Sequence, residues 1–449
     1  MLASLDVVFQ QFLDEGLGCA SYLIGDEQAR VAAVVDPAYA IEQYVDEAKR
    51  RDVEIVRVLE THTHADHLAG HGRLALEHGC TVNVHPAAEA EFEHEPIDDG
   101  VEVAVGDLLF RVLHTPGHRP EHCCFAVVDR SRGDEPWLVL TGDSLFVGDV
   151  ARPDLAGEAR EGAEGLFHSL RRLVELPDGV EVYPGHVAGS LCGTGMSSKA
   201  STTIGFERRF NRALQFATAV DFVEDSIGTT ALRPPNMERI VELNRGPFVG
   251  APEPLTELHG AREATILDVR DAPTFAAGHV HGAINVPVDG SSFATKAAFL
   301  LSPDEAVAIH AASPDQADRA ADGLRSVALL DIAGFTVDPP PEERLAPMSV
   351  DELEGLLERD EVVVLDVREK SERDAGYIPG TRHVPYRVLR AMGSDIDGGK
   401  PVVTICSTGP RAAIAASVLA AAGVDARPVT DGGVATWPGR TVEFRRCGG

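Results

Sequence analysis

The sequence predicts an α/β protein of several domains: a sheet-rich N-terminal domain followed by two smaller, related α/β domains. Three observations predict this class. Short β-rich runs alternate with helical patterns through about the first 190 residues. Two Pro/Gly-rich breaks follow, at 245–255 and 337–347. The segments beyond those breaks repeat each other.

The N-terminal domain is assigned to 1–245. Its expected strands are ASYLIG, RVAAVVDP, VEIVRVLETH, TVNVHP, LLFRVLHTPGH, CCFAVV, PWLVLTGD and GVEVYPGH. Several end abruptly in a polar or His-bearing turn, where function usually sits on a rigid sheet. Helical patterns lie at AIEQYVDEAKRR and from Gly165 to Leu176. A further helix carrying Leu68, Leu74 and Leu76 is expected to begin at Asp66 and His67. RGPFVGAPEPL (245–255) reads as a linker to a second domain, 256–337. VDPPPEERLAP (337–347) reads as a second linker, because three consecutive prolines favour extended chain and exclude helix. The last domain is 348–449. ILDVRDAPTFAAGHVHGAINVP (266–287) aligns without gaps on VLDVREKSERDAGYIPGTRHVP (364–385), with nine of 22 positions identical, the whole LDVR and both glycines among them. A duplicated domain of about 100 residues accounts for this.

Composition narrows the function classes. Of 449 residues, 44% are hydrophobic and 25% charged, as in soluble globular chains. No apolar run reaches the ~18 residues of a membrane span. The start, MLASLDVVFQQFLDEG, lacks a basic region followed by an apolar stretch, so a cytoplasmic protein is expected. A net charge of −31 argues against nucleic acid and anionic membrane surfaces, which need basic patches. Seven cysteines without regular spacing do not form a disulfide framework. Cys123 and Cys124 precede an apolar run and read as a buried strand, and Cys447 reads as incidental.

THTHADH (61–67) concentrates histidine and carboxylate, the ligands of zinc and ferrous iron. His62 and His64 are two apart, so on an extended strand end both would point to one side. Asp66 and His67 follow. His118 in HTPGHRPEH, Asp143 in LTGDSLF and His186 in YPGHVAG stand at later strand ends. Each follows a glycine, which permits a tight turn and leaves room for a metal. A lone histidine is usually a core or surface residue, but four segments that each deliver a His or Asp point to a metal.

THTHADH, TPGH, TGD and PGH, in this order, resemble the metallo-β-lactamase fold, an αββα sandwich with metal at the edge of its two sheets. TGDSLFVGDVARPDL (141–155) and GHVAGSLCGTGMSSKASTTIGFERRFN (185–211) resemble the persulfide dioxygenases of that superfamily more than the glyoxalase II thioesterases. That resemblance implies one Fe(2+) per chain held by His62, His118 and Asp143, a two-His-one-carboxylate set. It also implies that His64, Asp66, His67 and His186 hydrogen-bond around this site. The same four could instead hold a second metal, with Asp143 bridging, and the motif does not separate the two.

PVVTICSTGPRAAIAASVLAAAG (401–423) reads as a strand, a loop opened by Cys406, and a helix. Loop N–H groups, the helix N-terminus and Arg411 would all favour negative sulfur. LDVRE, YIPGTRHVP and CSTGPR resemble the rhodanese sulfurtransferases. The resemblance makes Cys406 the carrier of a sulfane sulfur, with Arg411 and the loop amides holding the anionic donor or acceptor. In the first copy, aligning VAI (307–309) with VTI (403–405) places HAASPD opposite CSTGPR. His310 then replaces the nucleophile and Asp315 replaces Arg411, so this copy is expected to be an inactive spacer or docking surface. Cys192, in SLCGTGM, could relay sulfur between the sites.

Together these resemblances imply an iron enzyme that oxidises a low-molecular-weight thiol persulfide with O2 to sulfite. Sulfur transfer by Cys406 would make or consume thiosulfate, in a setting of sulfide detoxification, and a homo-oligomer is expected. The alternative is a dinuclear zinc (Zn2+) thioesterase of the glyoxalase II type. A third reading is a sulfur carrier or sensor with a structural metal.

Overall fold

Two six-stranded sheets form the N-terminal half. The first runs in the order Val7–Asp14, Cys19–Asp26, Val31–Val35, Glu54–Leu59, Thr81–Val84, Glu95–Pro96. The second runs Thr202–Thr203, Glu181–Pro184, Leu138–Gly142, Cys123–Asp129, Leu108–His114, Glu102–Val105. This computed structural model describes residues 7–443 except 15, 154–158, 188–196, 198, 228–232, 234–235, 260–263, 393–395 and 397–398.

Side-chain alternation explains the layering. In Cys19–Asp26, Ala20, Tyr22 and Ile24 pack inward against Val103, Phe110, Phe125 and Leu138 of the second sheet. Leu23, on the other face, joins Val34, Tyr44, Ala48 and Leu74, which brings the helices Glu42–Arg51 and His71–His78 onto the outside. The second sheet is covered likewise, with Val139 and Val182 against Ala163, Leu166 and Leu170 of the helix Ala159–Leu173. Central strands are therefore apolar on both faces, and Cys123–Asp129 is buried throughout. The result is an αββα sandwich.

Two expected helices differ. The segment expected from Gly165 to Leu176 begins earlier and ends earlier, as Ala159–Leu173. The helix expected at Asp66 starts only at His71. Residues 61–70 form a loop held by Asn244, which donates to the carbonyls of His64 (3.0 Å) and His67 (2.9 Å) and accepts from the Ala69 N–H (2.9 Å). Backbone groups held by Asn244 leave this stretch outside the helical ladder.

Beyond residue 252 stand two parallel sheets. The first has the order Ile284–Asn285, Thr265–Asp268, Val307–Ala311, Ile332–Val337. The second has Met348–Ser349, Ala426–Asp431, Val402–Ile405, Val363–Asp366, Arg382–His383. The repeated LDVR has one structural role in both copies. Arg368 pairs with Asp366 (2.8 Å) and donates to the Gly376 carbonyl (2.7 Å). Arg270 does the same with Asp268 (2.5 Å) and Gly278 (3.1 Å). The chain divides into two compact units, Met1–Pro252 with Arg325–Ala328, and Glu253–Leu324 with Leu329–Gly449. No helix among the described residues is long and apolar enough to cross a membrane.

Candidate functional site

The polar turns after Glu54–Leu59, Leu108–His114, Leu138–Gly142 and Glu181–Pro184 converge at one end of the sandwich. One nitrogen each of His62 and His118 and one oxygen of Asp143 lie within 4.8 Å of one another, all buried. His118 Nε2 is 3.5 Å from Asp143 Oδ2.

The remaining polar atom of each side chain is engaged elsewhere. Thr61 Oγ1 donates to Asp36 Oδ2 (2.8 Å), so it accepts from His62 Nδ1 (2.8 Å) and leaves the His62 Nε2 lone pair free. His118 Nδ1 donates to the Arg152 carbonyl (3.2 Å), leaving Nε2 free. Asp143 Oδ1 accepts from His186 Nδ1 (2.7 Å), leaving Oδ2. Outer partners of this kind set tautomer and orientation in metal sites. Burial and the neighbouring histidines hold His62 well below its ordinary pKa, and burial also lowers His118, so both rings are neutral. Burial works against the Asp143 carboxylate, but His186 outweighs it and the group stays ionised. Two neutral imidazoles and a carboxylate fit a divalent borderline metal.

His64 does not join this set. Its Nε2 lies 3.4 Å from Asp36 Oδ1 and 3.3 Å from Glu60 Oε2, and His71 Nδ1 meets the other oxygen of Glu60 (3.0 Å). Burial disfavours its charge, yet Asp36 and Glu60 raise its pKa well above the ordinary value. The strand ends at Leu59, so extended-strand alternation does not apply here, yet the His62 and His64 rings still lie side by side with centroids 4.3 Å apart. Asp36, Glu60 and His64 themselves form a second buried group with metal-ligand spacing.

Asp66, His67 and His186 form a third group, joined by a residue that sequence reasoning missed. Cys19 Sγ lies 3.3 Å from His186 Nε2, 3.4 Å from Asp66 Oδ2 and 3.5 Å from His67 Nδ1. Asp66 also bonds His186 Nε2 (2.8 Å) and His67 Nδ1 (3.2 Å). Burial and the Asp66 charge push the Cys19 thiol well up, so it is protonated. Cys19 opens its strand beside Gly185, where Ala20 N–H bonds the Gly185 carbonyl at 2.7 Å. No sequence signal near THTHADH announces it.

The glycines make room chiefly for protein. A Cβ on Gly142 (φ +45°) would stand 2.6 Å from Thr61 Oγ1 and 2.8 Å from His122 Nε2. One on Gly117 would strike the backbone of Leu166. Only at Gly185 is the neighbour a candidate ligand, Asp143 Oδ1 at 2.7 Å.

In the last domain, Cys406 is buried after Val402–Ile405, and the Gly409 N–H donates to its Sγ (3.1 Å). Gly409 has φ +113° and precedes the helix Pro410–Ala421. Arg411 is clamped by Glu372 through two bonds, 2.6 and 2.7 Å. Its charge is thus already met by a carboxylate.

Strand register corrects the alignment of the first copy. Asp366 pairs with Ile405, and the equivalent Asp268 pairs with His310. His310 therefore matches Ile405, and Ala311 stands where Cys406 stands. The helix Pro314–Ser326 opens like Pro410–Ala421, so Asp315 does match Arg411 and the intervening loop is one residue shorter. Cys192 lies outside the described residues.

Residues 14–186 match the metallo-beta-lactamase superfamily, and 251–336 and 349–439 each match the rhodanese-like domain. The chain is 30% identical over 191 residues to the mitochondrial persulfide dioxygenase ETHE1 of Bos taurus, covering 40% of this chain and 68% of that one. This chain belongs to the metallo-beta-lactamase superfamily. It joins that fold to two rhodanese-like domains. It is also 29% identical over 193 residues to a probable polyketide biosynthesis zinc-dependent hydrolase, BaeB, of Bacillus velezensis, covering 41% of this chain and 80% of that one. A metallo-beta-lactamase structure from Staphylococcus aureus subsp. aureus COL superposes with a TM-score of 0.69 at 26% identity, over 75% of this chain and 99% of that one. The fold is a metal-binding one, and the chain has the domains of an enzyme.

Proposed function

We propose that this metallo-beta-lactamase superfamily chain is a mononuclear non-haem iron persulfide dioxygenase coupled to a sulfurtransferase. The observation that carries the reading is the buried set of His62, His118 and Asp143, each offering one ligand atom while its second polar atom is held by protein. His64 lies beside His62, with ring centroids 4.3 Å apart, but its Nε2 faces Asp36 and Glu60 and it supplies no atom to that set. The similarity to a persulfide dioxygenase supports the same reading.

His62, His118 and Asp143 would hold Fe(2+), which supplies redox chemistry toward O2 that zinc lacks. The Thr61–Asp36 pair keeps the His62 proton on Nδ1, and the Arg152 carbonyl keeps that of His118 on Nδ1. His186, bracketed by Asp143 and Asp66, orients the carboxylate. Overall, a thiol persulfide, O2 and water would give the thiol and sulfite. Cys406 would exchange a sulfane sulfur between thiosulfate and a thiol, with the Gly409 N–H stabilising the leaving thiolate. The domain assignments 1–245, 256–337 and 348–449 belong to this proposal.

The zinc thioesterase reading draws on the similarity to BaeB and on the Cys19–Asp66–His67 group, which could hold a second ion. Metal analysis combined with O2 uptake on a thiol persulfide separates the two. His118→Ala should remove iron and oxygen consumption together, and iron kept at full occupancy would refute the ligand set.

A further inference from the structure

The Cys406 loop faces a cleft shared by both rhodanese-like copies, about 510 Å³ in volume. Thr408, Gly409 and Pro410 form one wall, and Ala272, Phe275 and Lys296 of the first copy belong to the other. The two copies are bolted together around it. Arg390 pairs with Glu305 (2.7 Å), the Asn285 N–H donates to Ser417 Oγ (2.9 Å), and the Arg387 guanidinium stacks 4.4 Å from the Phe299 ring.

Charge in the cleft is uneven. Asp289 is paired with Arg319 (2.7 Å), and Asp271 caps the helix Ala272–Ala277 by accepting from the Thr274 N–H (2.8 Å). Arg411 is neutralised by Glu372. Lys296 is half-buried, and its Nζ donates to the Ser291 carbonyl (2.5 Å), a neutral partner. Burial and Arg411 lower the pKa of its ammonium, and it lines the same cleft as Thr408, Gly409 and Pro410 of the Cys406 loop.

We infer that the first copy, which lacks the thiol, builds the substrate site for Cys406: Lys296 holds the anionic sulfur compound, and the apolar cleft walls hold the body of an organic thiol. The inference rests on Cys406 being the sulfur carrier. A cleft of this size far exceeds what thiosulfate alone needs, and mostly apolar walls suit a carbon skeleton. The chemistry runs in two steps. The Cys406 thiolate attacks the outer sulfur of thiosulfate; a Cys–S–S bond forms, the S–S bond of thiosulfate breaks, and sulfite leaves with its electron pair. An organic thiolate then attacks the sulfane sulfur of the Cys406 persulfide, giving the organic persulfide and returning Cys406 as thiolate. Lys296 would offset the negative charge brought in by each anion, and it comes from a domain without a nucleophile.

The test uses the full chain, thiosulfate as donor, and either cyanide or benzyl mercaptan as acceptor. Lys296→Met should raise KM for thiosulfate about tenfold with little change in kcat, and Lys296→Arg should restore most of the loss. Ala272→Trp, at a partly exposed wall position, should raise KM for benzyl mercaptan about fivefold or more while leaving cyanide turnover alone. Melting temperature serves as the fold control. Unchanged KM values in both variants, or equal losses with both acceptors in Ala272→Trp, would overturn the inference. Transfer that survives Cys406→Ser would instead overturn the sulfur-carrier reading beneath it.

Discussion

Thr61 shows how one hydroxyl can set the state of a metal-binding histidine. It gives its proton to Asp36 and takes one from His62, which aims the Nε2 lone pair at His118 and Asp143. Thr61→Val should lower iron affinity about 10- to 100-fold, measured by competition with a chelator, while the protein stays folded. His64 makes the complementary case. Because its Nε2 faces Asp36 and Glu60 and it supplies no atom to the His62, His118 and Asp143 set, His64→Gln should still bind one metal per chain, whereas His62→Gln should bind none. Loss of the metal in His64→Gln would return that residue to the site. The candidate ligands were readable from the motifs because each stands at a strand end. Which of two nearby histidines faces the metal was not, because Asp36 and Glu60 decide it and neither lies in a recognisable pattern. Cys19 escaped for the same reason: its neighbours Asp66 and His186 are distant in sequence and adjacent in space.

At the scale of elements, strands read well and boundaries less so. Apolar runs closed by His- or Gly-bearing turns marked the strands that carry the site. The helix expected at Asp66 begins at His71 because Asn244, far along the chain, holds the loop before it. Asn244→Ala should destabilise the N-terminal unit by about 2–3 kcal/mol, since two buried carbonyls and one N–H lose their partner. Urea unfolding followed by tryptophan fluorescence would measure it. The first rhodanese-like loop was misread by one residue because its deletion leaves no trace in composition; only the pairing of Asp268 with His310 reveals it. Between the copies, burial pushes the Glu305 carboxyl up, but bonds from Arg390 and Thr265 outweigh it and leave it below the ordinary 4.5. A depressed carboxylate contributes stability in full above its unfolded value and loses it as pH falls through the folded one. Glu305→Gln should therefore cost about 1–2 kcal/mol at pH 7 and almost nothing below about pH 3.

At the scale of the molecule, an αββα sandwich is joined to a pair of rhodanese-like domains, and both parts were legible in outline. The repeat exposed the duplication because LDVR builds the same buried ion pair twice. Separate machinery should make the two reactions separable. Cys406→Ser should abolish sulfur transfer from thiosulfate while O2 uptake on an added persulfide continues; loss of both would contradict separate sites. The chemistry proposed for the N-terminal half turns on its metal. The most direct measurement is metal content by elemental analysis together with O2 uptake and sulfite release on a low-molecular-weight thiol persulfide. The account predicts one iron per chain and O2 consumed as sulfite appears. Two zinc ions per chain with hydrolysis of an S-acyl thiol and no O2 uptake would contradict it.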